Sequence, residues 1–464
     1  MQDEPLTKEC IRSLKQRNDG SLAAWVGRHA RSCGDLVFVL ENLGRLPASF
    51  DAGWLLDLLT HENENVRVQA VKNVGKLGAE AHLERLYRIA CKDRSTIVKR
   101  EAVSSIGRMR DAKAIPLLTA ILADGDPKVV CQAVRGLLVF KGRQEVDRSL
   151  EALANHPNET VRAVIRKAYR PDTAERKPVQ PHAQVYPFLR NVAVNGDVRK
   201  VLQTVPDESI HLTFTSPPYY NARDYSIYPS YEAYLKFLKK VFAQTYRVTK
   251  EGRFLIVNTS PVIIPRVSRS HASHRYPIPF DLHGVLTSVG WEFIDDIVWM
   301  KPEYSVKNRI GGFQQHRKPL AYKPNSVTEY LMVYRKRSDR LIDWNIRQYD
   351  AGTVEESRVR TEFETTNVWQ ILPKADRIHP AVFPEELCRR VIEYYSYKGD
   401  LVFDPFAGIG TLGRAARKLG RSFFLAEIDP HYFAGLRDAF RAENPLDEAG
   451  RYYTVRQFRR NCAL

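Results

Sequence analysis

Two stretches of the 464-residue chain carry residue types and spacings that could do chemistry. The first is Thr215-Ser216-Pro217-Pro218-Tyr219-Tyr220, at the end of the strand-like run 209–216. Adjacent prolines fix the backbone and remove N–H donors, so Pro217 and Pro218 hold a rigid corner where the strand stops. A hydroxyl precedes the corner and two aromatic rings follow it. The second is "GDLVFDPFAGIGTLGRAARKLGRSFFLAEIDPHYF", residues 399–433. There a buried strand leads to Asp404, Gly408 and Gly410 make a turn, a helix follows, and the next strand ends in Glu427 and Asp429. Glycines at such a turn let a ligand approach the backbone closely. An acid about twenty residues later suits ribose hydroxyls. The third glycine of a dinucleotide fingerprint is missing, and no basic residue is poised for a pyrophosphate. The pattern therefore points to a nucleoside-containing cofactor that lacks one.

The elements around these stretches decide where they lie. Runs 191–197, 209–216, 253–260, 291–301 and 327–336 read as strands, with helical patterns such as 231–250 between them. Strands alternating with helices predict a mainly parallel, doubly wound α/β sheet. Ligands bind beyond the C-terminal strand ends of such sheets, which is where the proline corner falls.

Ahead of this domain the chain repeats itself. Val66, Val98, Val129 and Val161 recur at spacings of 32, 31 and 32, and Ala70, Ala102 and Ala133 follow the first three by one helical turn. Gly75 and Gly107 follow the first two alanines by five, and a polar break precedes each such helix. Each unit is a helix pair that cannot bury its apolar face alone, so stacked units must share a core. The pattern resembles HEAT-like repeats, which implies a surface for a protein partner or for DNA. The domain expectation is 1–170 for the helical repeats, 171–186 for a Pro-rich charged linker, and 187–464 for the α/β domain.

The formal net charge of +17 favours a polyanionic partner, because phosphate contacts release counterions. Six scattered cysteines form no CxxC pair, which argues against a zinc site or a disulfide framework and fits a reducing cytosol. No run of eighteen apolar residues predicts a membrane span, and the N-terminus lacks the basic-then-apolar pattern of a signal peptide.

Taken together, the motifs from about 186 to 445 resemble the amino-group DNA methyltransferases. "TSPPYY" looks like their catalytic motif and "FDPFAGIGT" like their cofactor loop. "RIHPAVFPEELCRRVIEYYSYKGD" (377–400) looks like the segment that closes over the cofactor's methionine end. "DDIVWMKP" (295–302) and "KPNSVTEYLMVYRK" (323–336) match recurring strands. The resemblance implies a Rossmann-like fold, S-adenosyl-L-methionine as cofactor, and DNA, double-stranded, as substrate. It also implies a bacterial or archaeal cytosol, at the nucleoid. The catalytic motif precedes the cofactor motif, an order that marks the beta group. Target recognition is then expected between them, roughly 303–370, with "EYSVKNRIGGFQQHRKPLAYK" as its basic part, from which Arg309, Gln314, Gln315, Arg317 and Lys318 would reach phosphates or base edges.

Residue roles follow from the same likeness. Ser216, Pro217, Pro218 and Tyr219 form the catalytic set. Ser216 Oγ and a carbonyl of the proline corner accept the hydrogens of an exocyclic amine, while Tyr219 offers a face to a flipped-out base. Tyr220 is expected to pack. Asn221, Arg223 and Asp224 either shape the pocket or contact the DNA backbone. Asp404, Phe406, Gly408, Gly410 and Thr215 line the cofactor loop, Glu427 takes the ribose hydroxyls, and His379, Pro380 and Phe383 wall the methionine end. Asp197 matches a position near the adenine ring. In the family, serine before the prolines accompanies cytosine N4 and an acid or amide there accompanies adenine N6. Cytosine N4 is thus the expected target, with adenine N6 as the alternative. A scaffold with an inactive methyltransferase half, and methylation of RNA or of protein amides, are the readings from other classes.

Overall fold

The computed structural model describes residues 6–47, 50–171, 180–220, 228–264, 270, 274–306, 319, 325–360, 364–374, 383–443 and 450–462. The chain divides into two compact units, Met1–Asp172 and Thr173–Leu464.

The first unit is helical. Helices Glu64–Leu77, Thr96–Met109, Pro127–Leu137 and Glu159–Tyr169 carry the repeated valines, each buried in one continuous core with Ala70, Ala102 and Ala133. Asn63, Ser95, Asp126 and Asn158 cap these helices with side-chain oxygens, which explains the polar break before each one. The repeats pack closely where glycine removes bulk. A Cβ on Gly75 would lie 2.5 Å from Ser105 Cβ, and one on Gly107 would lie 2.9 Å from the Cα of Gly136. Arg67 locks two repeats together, with Nε and Nη2 donating to Asp93 at 2.9 and 3.0 Å and Nη1 donating to the His61 carbonyl.

Among the described residues, the second unit has eleven strands. They are β1 (Val192–Asn195), β2 (Ile210–Thr215), β3 (Thr249–Thr259), β4 (Val262–Ile264), β5 (His274–Tyr276), β6 (Trp291–Met300), β7 (Thr328–Lys336), β8 (Val368–Gln370), β9 (Leu401–Asp404), β10 (Ser422–Glu427) and β11 (Arg451–Thr454). Nine form one sheet in the order β11-β1-β10-β9-β2-β3-β7-β6-β8, and β4 pairs with β5 as a hairpin. The large sheet is parallel except for β7, which runs antiparallel to both β3 and β6.

Alternate residues of its central strands enter different cores, as a pleated sheet covered on both faces requires. Leu212, Phe214, Val402, Phe423 and Leu425 pack with the helices Glu385–Tyr395 and Thr411–Lys418. Leu401, Phe403, Phe424 and Ala426 pack with Val201, Val241 and Phe458 from three other helices, and Ile210 joins them across a register shift between it and Leu212. The fold is a doubly wound, mainly parallel α/β sheet, and the unit before it in the chain is an all-α repeat array.

Two sequence-based boundaries change. The segment 171–186 reads as a linker, yet its end is packed: His182 and Val185 are buried, and His182 Nε2 meets the Glu251 carbonyl at 3.0 Å. Proline and charge hid that contact, because one buried histidine leaves no periodicity. The segment 303–370 is too wide for a recognition insert, since it contains β7, a strand of the main sheet, and Asn345, whose Nδ2 donates to the Gly252 carbonyl at 3.1 Å.

Gly107→Val should force the helices Thr96–Met109 and Pro127–Leu137 apart and cost about 1–3 kcal/mol. Thermal melting of the full chain by circular dichroism should show the repeat-unit transition lowered. Gly125→Ala, with open space around its Cβ, should leave that transition within about 2 °C.

Candidate active site

β2 and β9 lie side by side at the middle of the sheet, pairing Leu212 with Val402 and Thr213 with Phe403. Sequence order runs outwards in opposite senses from this pair, through β3 on one side and β10 on the other. A doubly wound sheet opens a crevice at such a switch point, beyond the C-terminal strand ends. Both chemistry-bearing stretches begin there.

Thr215, the last residue of β2, donates from Oγ1 to Asp404 Oδ1 at 2.6 Å, and Asp404 is the last residue of β9. The Phe406 N–H also donates to Oδ1, at 3.0 Å. Asp404 is 2% exposed, and burial pushes its carboxyl up to about 7 despite these two hydrogen bonds.

The turn after β9 adopts left-handed backbone at Gly408 (φ 53°) and Gly410 (φ 74°). A Cβ at Gly410 would also lie 2.8 Å from Leu436 Cγ, so both conformation and space demand glycine. Gly410 caps the helix Thr411–Lys418. The Gly408 N–H donates to Glu427 Oε2 at 2.7 Å, and the Asp429 N–H donates to Oε1 at 2.8 Å. Burial raises Glu427 to about 7 as well, with Asp404 and Asp429 adding repulsion.

The remaining expected site residues divide. Phe383 stacks on Phe214 with ring centroids 4.5 Å apart. Phe406 packs against Phe237 at 6.1 Å. Asp197 lies at the end of β1 but acts as a helix cap: its Oδ1 accepts from the Arg199 N–H at 2.9 Å, and both oxygens are gripped by the Arg199 guanidinium. That geometry occupies the carboxylate expected near an adenine ring. His379 and Pro380 lie outside the described residues, as do Asn221, Arg223, Asp224, Arg309, Gln314, Gln315, Arg317 and Lys318.

At the proline corner, Pro217 is buried and Ser216 half-buried. Tyr220 packs in an aromatic cluster, 5.2 Å from Tyr231 and 4.8 Å from Tyr276. Tyr219 turns its hydroxyl to Glu329 Oε2 at 2.9 Å. Burial and the Glu329 carboxylate hold its phenol well above the ordinary range, while a hydrogen bond from Ser216 works the other way. Sequence reading missed Glu329, which arrives from β7. It also missed Ile428, 66% exposed directly after Glu427 and therefore an apolar ledge beside the cofactor loop. An exposed isoleucine between two acids was the available signal.

Residues 210–438 match the family model described as DNA methylase, and residues 52–138 and 88–170 match HEAT repeats. The stretch that matches the DNA methylase model lies wholly within the second unit. The chain is 27% identical over 256 residues to the Type II beta methyltransferase M.BslI of Bacillus sp. (strain NEB-606), covering 53% of this chain and 27% of that one. It is 27% identical over 287 residues to the Type II methyltransferase M.XycI of Xanthomonas campestris pv. cyanopsidis, covering 54% and 87%. Among solved structures, it is similar to TTHA0409, a putative DNA modification methylase from Thermus thermophilus complexed with S-adenosyl-L-methionine. The two are 27% identical, with a TM-score of 0.46 and coverage of 57% of this chain and 97% of that one.

The residues present suit S-adenosyl-L-methionine, the cofactor that the sequence motifs imply. Asp404 offers a desolvated carboxylate for an ammonium group, Glu427 a carboxylate for a diol, and the glycine turn room for close approach.

A cationic ligand favours the ionised form of Asp404, which without it holds its proton up to about pH 7. Cofactor affinity should therefore rise with pH through about 7 and level off above it. Below that point it should fall by up to about tenfold per pH unit for one linked carboxylate. Isothermal titration at pH 6 and pH 8, in buffers of different ionisation enthalpy, should detect proton release at the lower pH, and Asp404→Asn should abolish the slope.

Proposed function

We propose that the chain transfers a methyl group from S-adenosyl-L-methionine to the exocyclic N4 amine of cytosine in DNA. The observation that carries this reading is the hydrogen bond from Thr215 to Asp404. It sets the Ser216-Pro217-Pro218-Tyr219 corner beside the cofactor loop. The cofactor supplies an electrophilic methyl group on a sulfonium sulfur.

The chain's part is to place the amine and direct its lone pair. Ser216 Oγ and a carbonyl of the rigid corner accept the two amine hydrogens, which turns the nitrogen lone pair out of conjugation with the ring. Tyr219 offers a face against which an extruded base stacks. In the family that the motifs resemble, serine before the prolines accompanies cytosine N4, and on that likeness Ser216 favours cytosine N4 over adenine N6. The likeness to Type II methyltransferases extends the reading to sequence-specific modification of the restriction–modification kind. In the same reading the HEAT unit adds a docking surface, for DNA or for a protein partner.

Mass spectrometry of nucleosides from methyl-free DNA incubated with the protein and cofactor tests this. N4-methylcytosine is the expected product. Ser216→Ala should slow its formation by about 10–100-fold, the worth of one hydrogen bond made to the reacting amine. N6-methyladenine would move the target base to the alternative. No methylated base on single- or double-stranded DNA would sink the reading and leave the scaffold role.

A further inference from the structure

The Tyr219 hydroxyl is held by groups from three strands of the sheet. Asn258 comes from β3, Glu329 from β7, and Lys301 follows the end of β6. Tyr219 Oη donates to Glu329 Oε2 at 2.9 Å. Asn258 Nδ2 donates to the same oxygen at 2.5 Å and to Tyr219 Oη at 3.2 Å. Lys301 Nζ pairs with Glu329 Oε1 and lies 4.4 Å from the centroid of the Trp299 ring. Lys301 and Glu329 are 17% and 15% exposed, so little water screens their attraction.

The arrangement is more than packing requires. A ring near a strand end can be buried by apolar neighbours alone, as Phe214 is against Phe383. Here Lys301 pairs with Glu329, and both carboxylate oxygens are used. Asn258 is 2% exposed, and its Oδ1 has no partner among the described residues, so the amide is turned towards Tyr219 and Glu329 although its acceptor is left orphaned. A buried orphan of this kind costs stability and marks a site where geometry has been kept for another reason.

We infer that Glu329, supported by Asn258 and Lys301, is a positioning residue that fixes the plane of the Tyr219 ring against which the target base stacks. The inference rests on the proposed base-methylating function. The tether acts on a ring at the proline corner rather than on the cofactor loop, so its loss slows transfer without weakening cofactor binding. A ring free to tilt misplaces the amine, and misplacement by about 1 Å lowers rate steeply.

The test uses the full chain as wild type, Tyr219→Phe, Glu329→Gln and the double variant. The readouts are single-turnover transfer from tritiated S-adenosyl-L-methionine to genomic DNA of a methylation-free host, cofactor affinity by titration calorimetry, and thermal melting. Tyr219→Phe keeps the ring and removes only the tether. Each single variant should slow transfer by about tenfold or more. The double should be no slower than the slower single, because both cut one link. Cofactor affinity should stay within about twofold. Lys301→Arg should retain the wild-type rate and Lys301→Met should not. A wild-type rate in Tyr219→Phe, multiplying effects in the double variant, or parallel losses of cofactor affinity and melting temperature would overturn the inference. A wild type that transfers no methyl group would overturn the function beneath it, a result distinct from active variants.

Discussion

The second unit turns on one hydrogen bond, from Thr215 Oγ1 to Asp404 Oδ1 at 2.6 Å. It joins residues 189 positions apart in the chain. It also closes the top of a strand pair that shares only two registered residue pairs. Because β2 and β9 part company immediately above it, the proline corner and the glycine turn must leave the sheet from this point. The Asp404 carboxylate is buried, and among the described residues a hydroxyl and an N–H meet it, so bulk water has little access to the contact.

The opposite end of the same strand pair is held differently. The Leu401 N–H donates to His211 Nδ1 at 3.2 Å, so the Nε2 of this buried imidazole carries the proton it shares with the His182 carbonyl at 2.9 Å. Burial and the Arg253 cation keep His211 neutral. Beside it Asp400 is paired with Arg253 and accepts from Tyr349 Oη at 2.6 Å. Charge at this end is matched within the protein. At the C-terminal end Asp404 and Glu427 are raised to about 7, and their hydrogen-bond donors are hydroxyl and backbone N–H groups. Their protonated forms stabilise the fold fully below the ordinary carboxylate range near 4, and that contribution is lost as pH rises through about 7. Carboxylates raised by burial in a crevice are ones that a cationic ligand would stabilise in their ionised form.

Much of this was legible in the sequence, and for identifiable reasons. The valine and alanine period survives because every repeat buries the same face, and Gly408, Gly410 and Glu427 survive because their spacing is set by one local βα turn. The proline corner is local too. What could not be read is what comes from elsewhere in the chain. Asn258 on β3, Glu329 on β7 and Lys301 just after β6 become neighbours only once β7 is threaded antiparallel between β3 and β6. Asp197 looked free because nothing in a motif shows that Arg199, two residues on, takes up its carboxylate. His182 read as linker because a single buried side chain leaves no pattern.

The most direct measurement is the effect of Thr215→Val on cofactor affinity and methyl transfer in the full chain. Valine keeps the β-branched shape and removes only the donor to Asp404. A hydrogen bond to a carboxylate in a dry site supports an expected loss of about tenfold or more in S-adenosyl-L-methionine affinity, with transfer falling at least as far. Unchanged affinity and unchanged transfer would mean that the two motifs are held together by something other than this bond, and would contradict the account.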